Sequence, residues 1–190
     1  TAIISSTNII MVKFIIGVIG SDRILSEKSL YIAERIGEDI AKNNCVLICG
    51  GRGGVMEAVC KGAKRYNGIT VGILPSLEKS EANRFVDIPI TTGFGHARNS
   101  IVVSSSDAII SISGSVGTLS EIALALCNNK PVILVEGSGG VSDFLLKERK
   151  DIDFFDFTDK IYISNEKNAV KMTINILNRM LNKSNTELNK

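Results

Sequence analysis

Asp107-Ala-Ile-Ile-Ser-Ile-Ser-Gly-Ser-Val-Gly-Thr-Leu-Ser-Glu121 is the stretch of sequence that decides the fold. It begins with a short apolar run, residues 108–112, whose length and β-branched content are typical of a buried parallel strand. The run breaks at residues 113–117, where two glycines permit backbone angles that other residues avoid. A helix is predicted to follow, because apolar residues recur there at helical spacing. Its inward face is predicted to carry Leu119, Ile122, Ala123 and Leu126.

This succession of strand, Gly/Ser loop and helix predicts an anion site at residues 113–118. Unpaired N–H groups and the positive end of the helix dipole would point to one place, which most often holds a phosphate. A structural explanation is also open, because a tight turn needs glycines and because Thr118 and Glu121 have the spacing of a capping box. Both explanations could hold at once. The candidate ligand-binding residues in this turn are Gly114, Ser115, Val116, Gly117 and Thr118.

Strands and helices alternate along the rest of the chain, which predicts an α/β fold: a single Rossmann-like, doubly wound parallel sheet with helices on both faces. We expect one domain over residues 14–181, where the last helix is predicted to end, with an N-terminal extension over residues 1–13 and a polar tail over residues 182–190. In such sheets ligands bind outside the carboxyl ends of the strands. Three loops that follow predicted strands should therefore converge on one edge: residues 50–54, 92–98 and 113–118.

The glycine loop after the second predicted strand is another candidate for ligand contact, with Arg52 as a possible anion-binding group. A turn that lets the next helix pack close to the sheet is the alternative. Beside loop 113–118 we favour the ligand. The candidate residues are Gly50, Gly51, Arg52, Gly53 and Gly54.

Arg98 lies near the predicted start of its helix, where the helix dipole disfavours a cation. A functional arginine is one explanation for this placement, and a solvated side chain is the other. His96 and Asn99 are polar groups at the same edge. We interpret His96 as structural, because a single histidine is more often structural than catalytic.

Composition disfavours several classes of function. The 190 residues carry a formal net charge of +2 and no basic run, so nucleic acid is not favoured as a partner. A single histidine and the lack of a CxxC pair make a metal site unexpected. The four cysteines are interpreted as buried thiols of a cytoplasmic protein. No apolar run is long enough to span a membrane, so no membrane partner is expected.

More specific nucleotide motifs are absent from the sequence. It contains no Walker A lysine motif, no G-x-G-x-x-G and no G-x-S-x-G. Hydride transfer with NAD, ATP hydrolysis and serine esterase chemistry are therefore not expected. No resident cofactor is predicted.

With its loops placed, the sequence resembles the LOG (lonely guy) superfamily. The family motif P-G-G-x-G-T-x-x-E is similar to Ser113-Gly-Ser-Val-Gly-Thr-Leu-Ser-Glu121, and the family's upstream arginine segment is similar to Gly95-His-Ala-Arg-Asn99. A third family segment, G-G-x-x-G-x-M, is similar to Gly50-Gly-Arg-Gly-Gly-Val-Met56. The order and spacing of the three motifs extend the resemblance over roughly residues 14–135.

The resemblance implies an activity and a role for individual residues. Active members of the superfamily cleave the N-glycosidic bond of nucleoside 5′-monophosphates, which releases free base and ribose 5-phosphate. The turn at residues 114–118 would hold the 5′-phosphate, and Arg98 and Glu121 would be the catalytic pair. A carboxylate there would stabilise the positive charge that develops on the ribose, or orient a water. Family members are commonly dimers, so the resemblance also implies a homodimer.

The chain departs from the family motifs at three positions. Ser113 replaces the proline, Ser115 replaces the second glycine, and Asn99 stands where a lysine usually follows the arginine. Such changes also occur in branches of uncharacterised binding proteins, including relatives of the molybdenum-cofactor carrier proteins. Two other hypotheses therefore stay open. One is a carrier or sensor that binds a nucleotide or cofactor without turnover, and the other is a dimeric domain in which Glu121 only caps its helix.

Overall fold

A computed structural model describes residues 12–22, 26–148 and 158–188, so the extension predicted for residues 1–13 lies almost wholly outside the described residues. The strands are Ile15–Gly20 (β1), Val46–Cys49 (β2), Thr70–Leu74 (β3), Ile88–Thr91 (β4), Ala108–Ile112 (β5), Val132–Val135 (β6) and Ile161–Ser164 (β7). The α-helices are Glu27–Lys42 (α1), Val55–Lys64 (α2), Asn99–Ser104 (α3), Val116–Cys127 (α4), Gly140–Glu148 (α5) and Ala169–Leu188 (α6). Short 3-10 turns lie at Lys79–Glu81, Gly95–Arg98 and Thr158–Lys160.

These seven strands form one parallel sheet in the order β4-β3-β2-β1-β5-β6-β7. The predicted α/β class is therefore confirmed. Pro89 lies in β4, at the edge of the sheet, where a residue that cannot donate a hydrogen bond is tolerated. The strand order reverses between β1 and β5, and ligands of such sheets bind in the crevice at this switch point.

Helices cover both faces of the sheet. Helices α1, α2 and α6 pack over one face, against side chains such as Ile16 and Ile110. Helices α3, α4 and α5 pack over the other face, against side chains such as Ile19 and Ile109. Because both faces are covered, the central strands are largely apolar rather than alternating with polar residues, although Ser111 in β5 is polar and buried.

The ends of the helices follow local signals in one case and depart from them in another. Helix α1 begins at Glu27, because Ser26 Oγ accepts the N–H of Ser29 at 3.1 Å as an N-cap. Helix α6 continues to Leu188, beyond the end predicted at Leu181. The polar residues after Leu181 indicate exposure, which a helix tolerates once it no longer packs on the core. No described helix combines the length and the hydrophobicity that crossing a bilayer requires.

Helix α4 buries a different face from the one that its apolar residues predict. Leu119 is 38% exposed and Ala123 also lies on the surface. The prediction counted apolar side chains alone, but the preceding loop turns the helix so that two polar residues face the protein. The buried residues are Thr118, Glu121, Ile122, Ala125 and Leu126.

The cysteines are also divided between buried positions and the exposed face of α4. Three of them are buried as predicted, whereas Cys127, at the end of α4, is exposed. Cys127 lies one helical turn beyond Ala123 and two turns beyond Leu119, so it shares their outward face.

Candidate functional site

Arg98 and Glu121 form an ion pair at the carboxyl edge of the sheet. Arg98 Nη1 donates to Glu121 Oε1 at 3.3 Å, and the two side chains are only 12% and 8% exposed. Burial raises the pKa of Glu121 to about 7, against the opposing effect of the Arg98 charge and hydrogen bond. A carboxyl group that exchanges a proton near neutral pH is suited to an electrostatic or acid–base role.

Arg98 reaches this position through a gap at Gly50, the first residue after β2. A Cβ on Gly50 would overlap the guanidinium of Arg98, so a larger residue there would displace this side chain. The Nε of Arg98 is buried and has no hydrogen-bond partner among the described residues. Buried donors in native proteins nearly always have a partner, so this N–H has capacity for an acceptor from outside the chain.

Asn99 joins the arginine to the first turn of α4. Its Oδ1 accepts a hydrogen bond from Arg98, while its Nδ2 donates to Ser120 Oγ at 2.9 Å and to Gly117 O at 3.3 Å. The lysine that usually stands here in the superfamily could not accept from Arg98, because an ammonium group has no acceptor. Asn99 was predicted to lie at this edge and to depart from the family motif, and its contacts add a role in orienting Arg98. His96 is exposed.

Residues 113–118 form the turn from β5 into α4. The helix begins at Val116, with Ser115 as N-cap residue and no side-chain hydrogen bond as a cap. The capping-box interpretation of Thr118 and Glu121 is therefore wrong. Thr118 is instead buried under Gly114, where a Cβ would overlap it, and the φ of +97° at Gly114 also favours glycine.

Gly117 differs from Gly114 because no atom of the described residues lies within 4 Å of a Cβ placed on it. Packing therefore does not require glycine at this position. The first N–H groups of a helix have no acceptor within the helix, so Val116 and Gly117 present donors beside open space. The turn combines free donors, the positive end of a dipole and room for a ligand, which is the geometry of an anion site.

Packing explains most of the glycine loop that follows β2. Gly51 and Gly54 have positive φ values of +74° and +64°, and a Cβ on either would collide with backbone atoms of a neighbouring loop or strand. Arg52 is exposed, and its Nη1 lies 3.9 Å from Asp22 Oδ2. Gly53 is half-buried, with one neighbour at ordinary contact distance. The geometry thus explains Gly51 and Gly54 without a ligand and leaves Arg52 on the surface.

The loop after β6, residues 136–140, reaches the same edge, although sequence analysis assigned it no function. Val141 N donates to Gly114 O at 3.0 Å, and a Cβ on Gly140 would overlap the same carbonyl oxygen. The signal was present in the sequence, since this segment is rich in glycine and directly follows a strand. The loop therefore supports the turn into α4 from the neighbouring strand.

Comparison with known proteins identifies a family and several relatives. A family model described as the SLOG cluster4 family matches residues 13–174. An uncharacterized protein from Archaeoglobus fulgidus is 52% identical over 128 residues, which are 64% of this chain and 83% of that protein. A cytokinin riboside 5′-monophosphate phosphoribohydrolase from Mycobacterium tuberculosis is 32% identical over 119 residues, 58% of this chain. The match spans 64% of that enzyme, slightly less than two thirds of its length.

Solved structures are similar over most of the chain. A molybdenum cofactor binding protein from the phototrophic bacterium Rippkaea orientalis has a TM-score of 0.78 and 41% identity, over 88% of this chain and 99% of that one. The molybdenum cofactor carrier protein from Chlamydomonas reinhardtii has a TM-score of 0.72 and 34% identity, over 87% and 98% of the two chains. The Rossmann-like fold predicted from the sequence is shared with both.

Proposed function

Since the chain belongs to the SLOG cluster4 family, which confirms the resemblance drawn from its motifs, we propose that it binds a phosphorylated small molecule at the carboxyl edge of the sheet. The N–H groups of residues 115–118 would contact the phosphate, and Arg98 would supply positive charge nearby. The observation that carries this proposal is the open space beside Gly117, at a helix N-terminus that favours anions.

The ligand that we favour is the molybdenum cofactor, or a similar phosphorylated pterin, held as cargo rather than converted. Two solved proteins named for this cofactor are 41% and 34% identical over nearly the whole chain. The geometry supports holding, because Glu121 is buried beside Arg98 and its carboxylate is not open to a ligand on the turn. The unpartnered Nε–H of Arg98 fits an anionic or oxygen-rich ligand.

The test is co-elution of the purified protein with the molybdenum cofactor in gel filtration, scored by molybdenum content and by the fluorescence of the oxidised pterin. We expect the wild type to retain the cofactor. Gly117→Asp should release it, because a carboxylate in the open space would repel the phosphate, while a first-turn aspartate is compatible with the helix.

The matched control is Asn175→Asp, which adds the same charge at an exposed position of α6. It should retain the cofactor. Release by both variants, or by neither, would contradict a phosphate site at the turn into α4. A wild type that elutes without cofactor would exclude the carrier hypothesis.

A second candidate is hydrolysis of a nucleoside 5′-monophosphate. The raised pKa of Glu121 beside Arg98 favours it, because perturbed carboxyl groups are common in catalytic sites. Ionised Glu121 would stabilise positive charge on the ribose while the bond between C1′ and the base nitrogen breaks and its electron pair leaves with the base. Water then supplies the hydroxyl group on C1′, and its proton goes to the base nitrogen. The Mycobacterium tuberculosis relative, which is named for such an activity, supports this candidate at 32% identity.

Chromatography of nucleoside 5′-monophosphates after incubation with the protein tests the second candidate, with free base as the product scored. Glu121→Gln should abolish base release, because an amide cannot offset a developing positive charge. Glu38→Gln is the matched control, since Glu38 is also a buried glutamate but lies in α1. The absence of base release by the wild type with every nucleotide would reject the hydrolase.

We further propose that two copies associate through the outer face of α4. Val116 is 81% exposed and Leu119 38% exposed, and Ala123 continues the same face. An apolar helix face beside a binding turn fits an interface between identical chains. Leu119→Arg should produce monomers in light scattering, whereas Asn175→Arg should not. A monomeric wild type would contradict the dimer.

A further inference from the structure

Ser113, the first residue of the turn into α4, has a left-handed backbone conformation with φ of +55°. This conformation is unfavourable for a residue with a Cβ and persists only where the surroundings enforce it. The proline of the family motif could not adopt it, because the proline ring fixes φ at about −65°. The turn of this chain is therefore built differently, and other groups must hold Ser113.

Ser138, in the loop after β6, holds the N–H of Ser113. Its Oγ accepts this N–H at 2.8 Å and donates to Val135 O at 2.6 Å, so the hydroxyl is used in both directions. Ser138 is 1% exposed, so water cannot readily replace the bond. Ser29 Oγ on α1 donates to Ser138 O at 2.8 Å, which anchors the loop to a helix of the opposite face.

Ser142, near the start of α5, holds the carbonyl oxygen of Ser113. Its N–H and its Oγ donate to Ser113 O at 3.1 Å and 2.9 Å. The same hydroxyl lies 2.9 Å from Ser111 Oγ, which can donate to it. Both Ser111 and Ser142 are fully buried. The N–H and the C=O of Ser113 are therefore both fixed by one segment, residues 138–142.

The same segment also holds the next residue of the turn. Val141 N donates to Gly114 O at 3.0 Å, and Gly140 packs against that oxygen. Gly114 leads directly into residues 115–118, whose N–H groups are the proposed phosphate donors. A change in the backbone of Ser113 would consequently rotate those N–H groups, since only Gly114 lies between.

We propose that Ser138 and Ser142 are positioning residues of the phosphate site, which fix Ser113 in its left-handed conformation and so aim the N–H groups of residues 115–118 at the phosphate. This inference rests on the proposed phosphate site and assigns a function to a loop that sequence analysis passed over. If the serines were only structural, their loss would lower stability and leave phosphate affinity unchanged.

The test compares wild type, Ser138→Ala, Ser113→Gly and the double variant, with inorganic phosphate as the probe at constant ionic strength. Phosphorus-31 NMR line broadening gives the dissociation constants. Ser138→Ala should weaken phosphate binding about fivefold, as expected for one lost hydrogen bond. In the Ser113→Gly background the same change should have less than about a twofold effect, because glycine adopts positive φ without support.

Ser106→Ala is the matched control. Ser106 is 2% exposed and donates to a backbone carbonyl at 2.7 Å, like Ser138, but it precedes β5 at the opposite edge of the sheet. It should lower stability and leave phosphate affinity unchanged. An equal loss of affinity from Ser138→Ala in both backgrounds, or no loss in either, would overturn the inference.

A wild type that binds no phosphate would instead contradict the proposed function. The chemical shifts of the backbone amides of residues 114–118 would then test whether Ser138 holds the conformation of the turn. Ser138→Ala must shift these resonances in the wild-type background and shift them less in the Ser113→Gly background. Equal shifts in both backgrounds would overturn it.

Discussion

Among the side chains that the structure describes, those of two glutamates are nearly buried, and they are held in opposite ways. The side chain of Glu38, in α1, is 8% exposed, and its shortest contacts with cations are 2.8 Å. The cations around it are Arg35, Arg65 and Lys42. The side chain of Glu121, in α4, is equally buried, but the described residues supply it with a single cation, Arg98, at 3.3 Å. The two carboxylates are therefore equally buried, but Glu38 has three cationic partners and Glu121 has one among the described residues.

The pKa values of the two carboxyl groups shift in opposite directions. Burial by itself raises the pKa of Glu38, but the surrounding cations outweigh burial and lower it below its ordinary value. Burial raises the pKa of Glu121 to about 7, and Arg98 does not outweigh it. A fully compensated carboxylate is typical of a structural cluster between helices. A carboxyl group whose pKa is raised by burial and that has one cationic partner is typical of a functional site.

Replacement of the single partner of Glu121 should have the largest effect. Arg98→Leu should lower the free energy of unfolding by about 3 kcal/mol at pH 9, because it leaves a buried carboxylate without a counter-charge. The loss should be smaller at pH 6, where Glu121 can bind a proton instead. Urea denaturation at the two pH values measures both quantities.

The control for this prediction is Arg65→Leu at the other glutamate. Arg65 is about half exposed, and Glu38 keeps two other cations, so we expect a loss of about 1 kcal/mol or less. Equal decreases in the free energy of unfolding for Arg98→Leu and Arg65→Leu would show that the two glutamates depend equally on one cationic partner.

The pH dependence of stability should separate the glutamates next. Because the pKa of Glu121 is raised from 4.5 to about 7, the folded protein keeps a proton that the unfolded chain releases, and stability falls as pH rises through that window. The linked free energy is about 3 kcal/mol. Glu121→Gln should remove this slope and be more stable than wild type above pH 7. Parallel stability curves from pH 5 to 8 would mean that another group titrates.

Sequence patterns were sufficient for the sheet but not for the orientation of α4. Each strand of a sheet covered on both faces is a continuous apolar run, so its position is visible in the sequence. Helix α4 has apolar residues on more than one face, and Leu119 and Ala123 fit the helical period as well as Ile122 does. Periodicity cannot distinguish an apolar residue that packs on the sheet from one that stays on the surface.

Some residues of the candidate site could be predicted from the sequence, and others could not. Family resemblance identified Arg98 and Glu121, and the structure brings them together as an ion pair. Ser138 and Ser142 were missed because serines carry no periodic signal. Both serines act by holding the positive φ angle of Ser113, and a serine in the sequence does not predict a positive φ.

Glu38→Gln should act in the direction opposite to Glu121→Gln. We expect a loss of about 1 kcal/mol at pH 7, because the cations around Glu38 lose their shared counter-charge. The lowered pKa means that this contribution is present above pH 4.5 and disappears as the pH falls through the folded value, so the curves should converge in acid. Chemical denaturation from pH 3 to 7 measures it. A variant as stable as wild type at pH 7 would show that the cluster contributes nothing.

The smallest effect on stability is expected at a glycine. Gly117→Ala should raise the free energy of unfolding by about 0.5 kcal/mol, because alanine favours helix and the methyl group enters open space. Gly37→Ala, beside Glu38, should instead destabilise, because its Cβ would collide with the backbone of α2. Thermal unfolding of both variants measures this difference.

For affinity for inorganic phosphate, Gly117→Ala should be the weakened variant and Gly37→Ala the unchanged one. Gly117→Ala should weaken phosphate binding severalfold, since the methyl group narrows the approach to the N–H groups of the turn, whereas folded Gly37→Ala should bind as wild type does. If Gly117→Ala is more stable than wild type but binds phosphate less tightly, the glycine serves the ligand and not the fold. Gly37, beside Glu38, serves packing. Unchanged phosphate affinity in Gly117→Ala would make the turn into α4 an ordinary helix start.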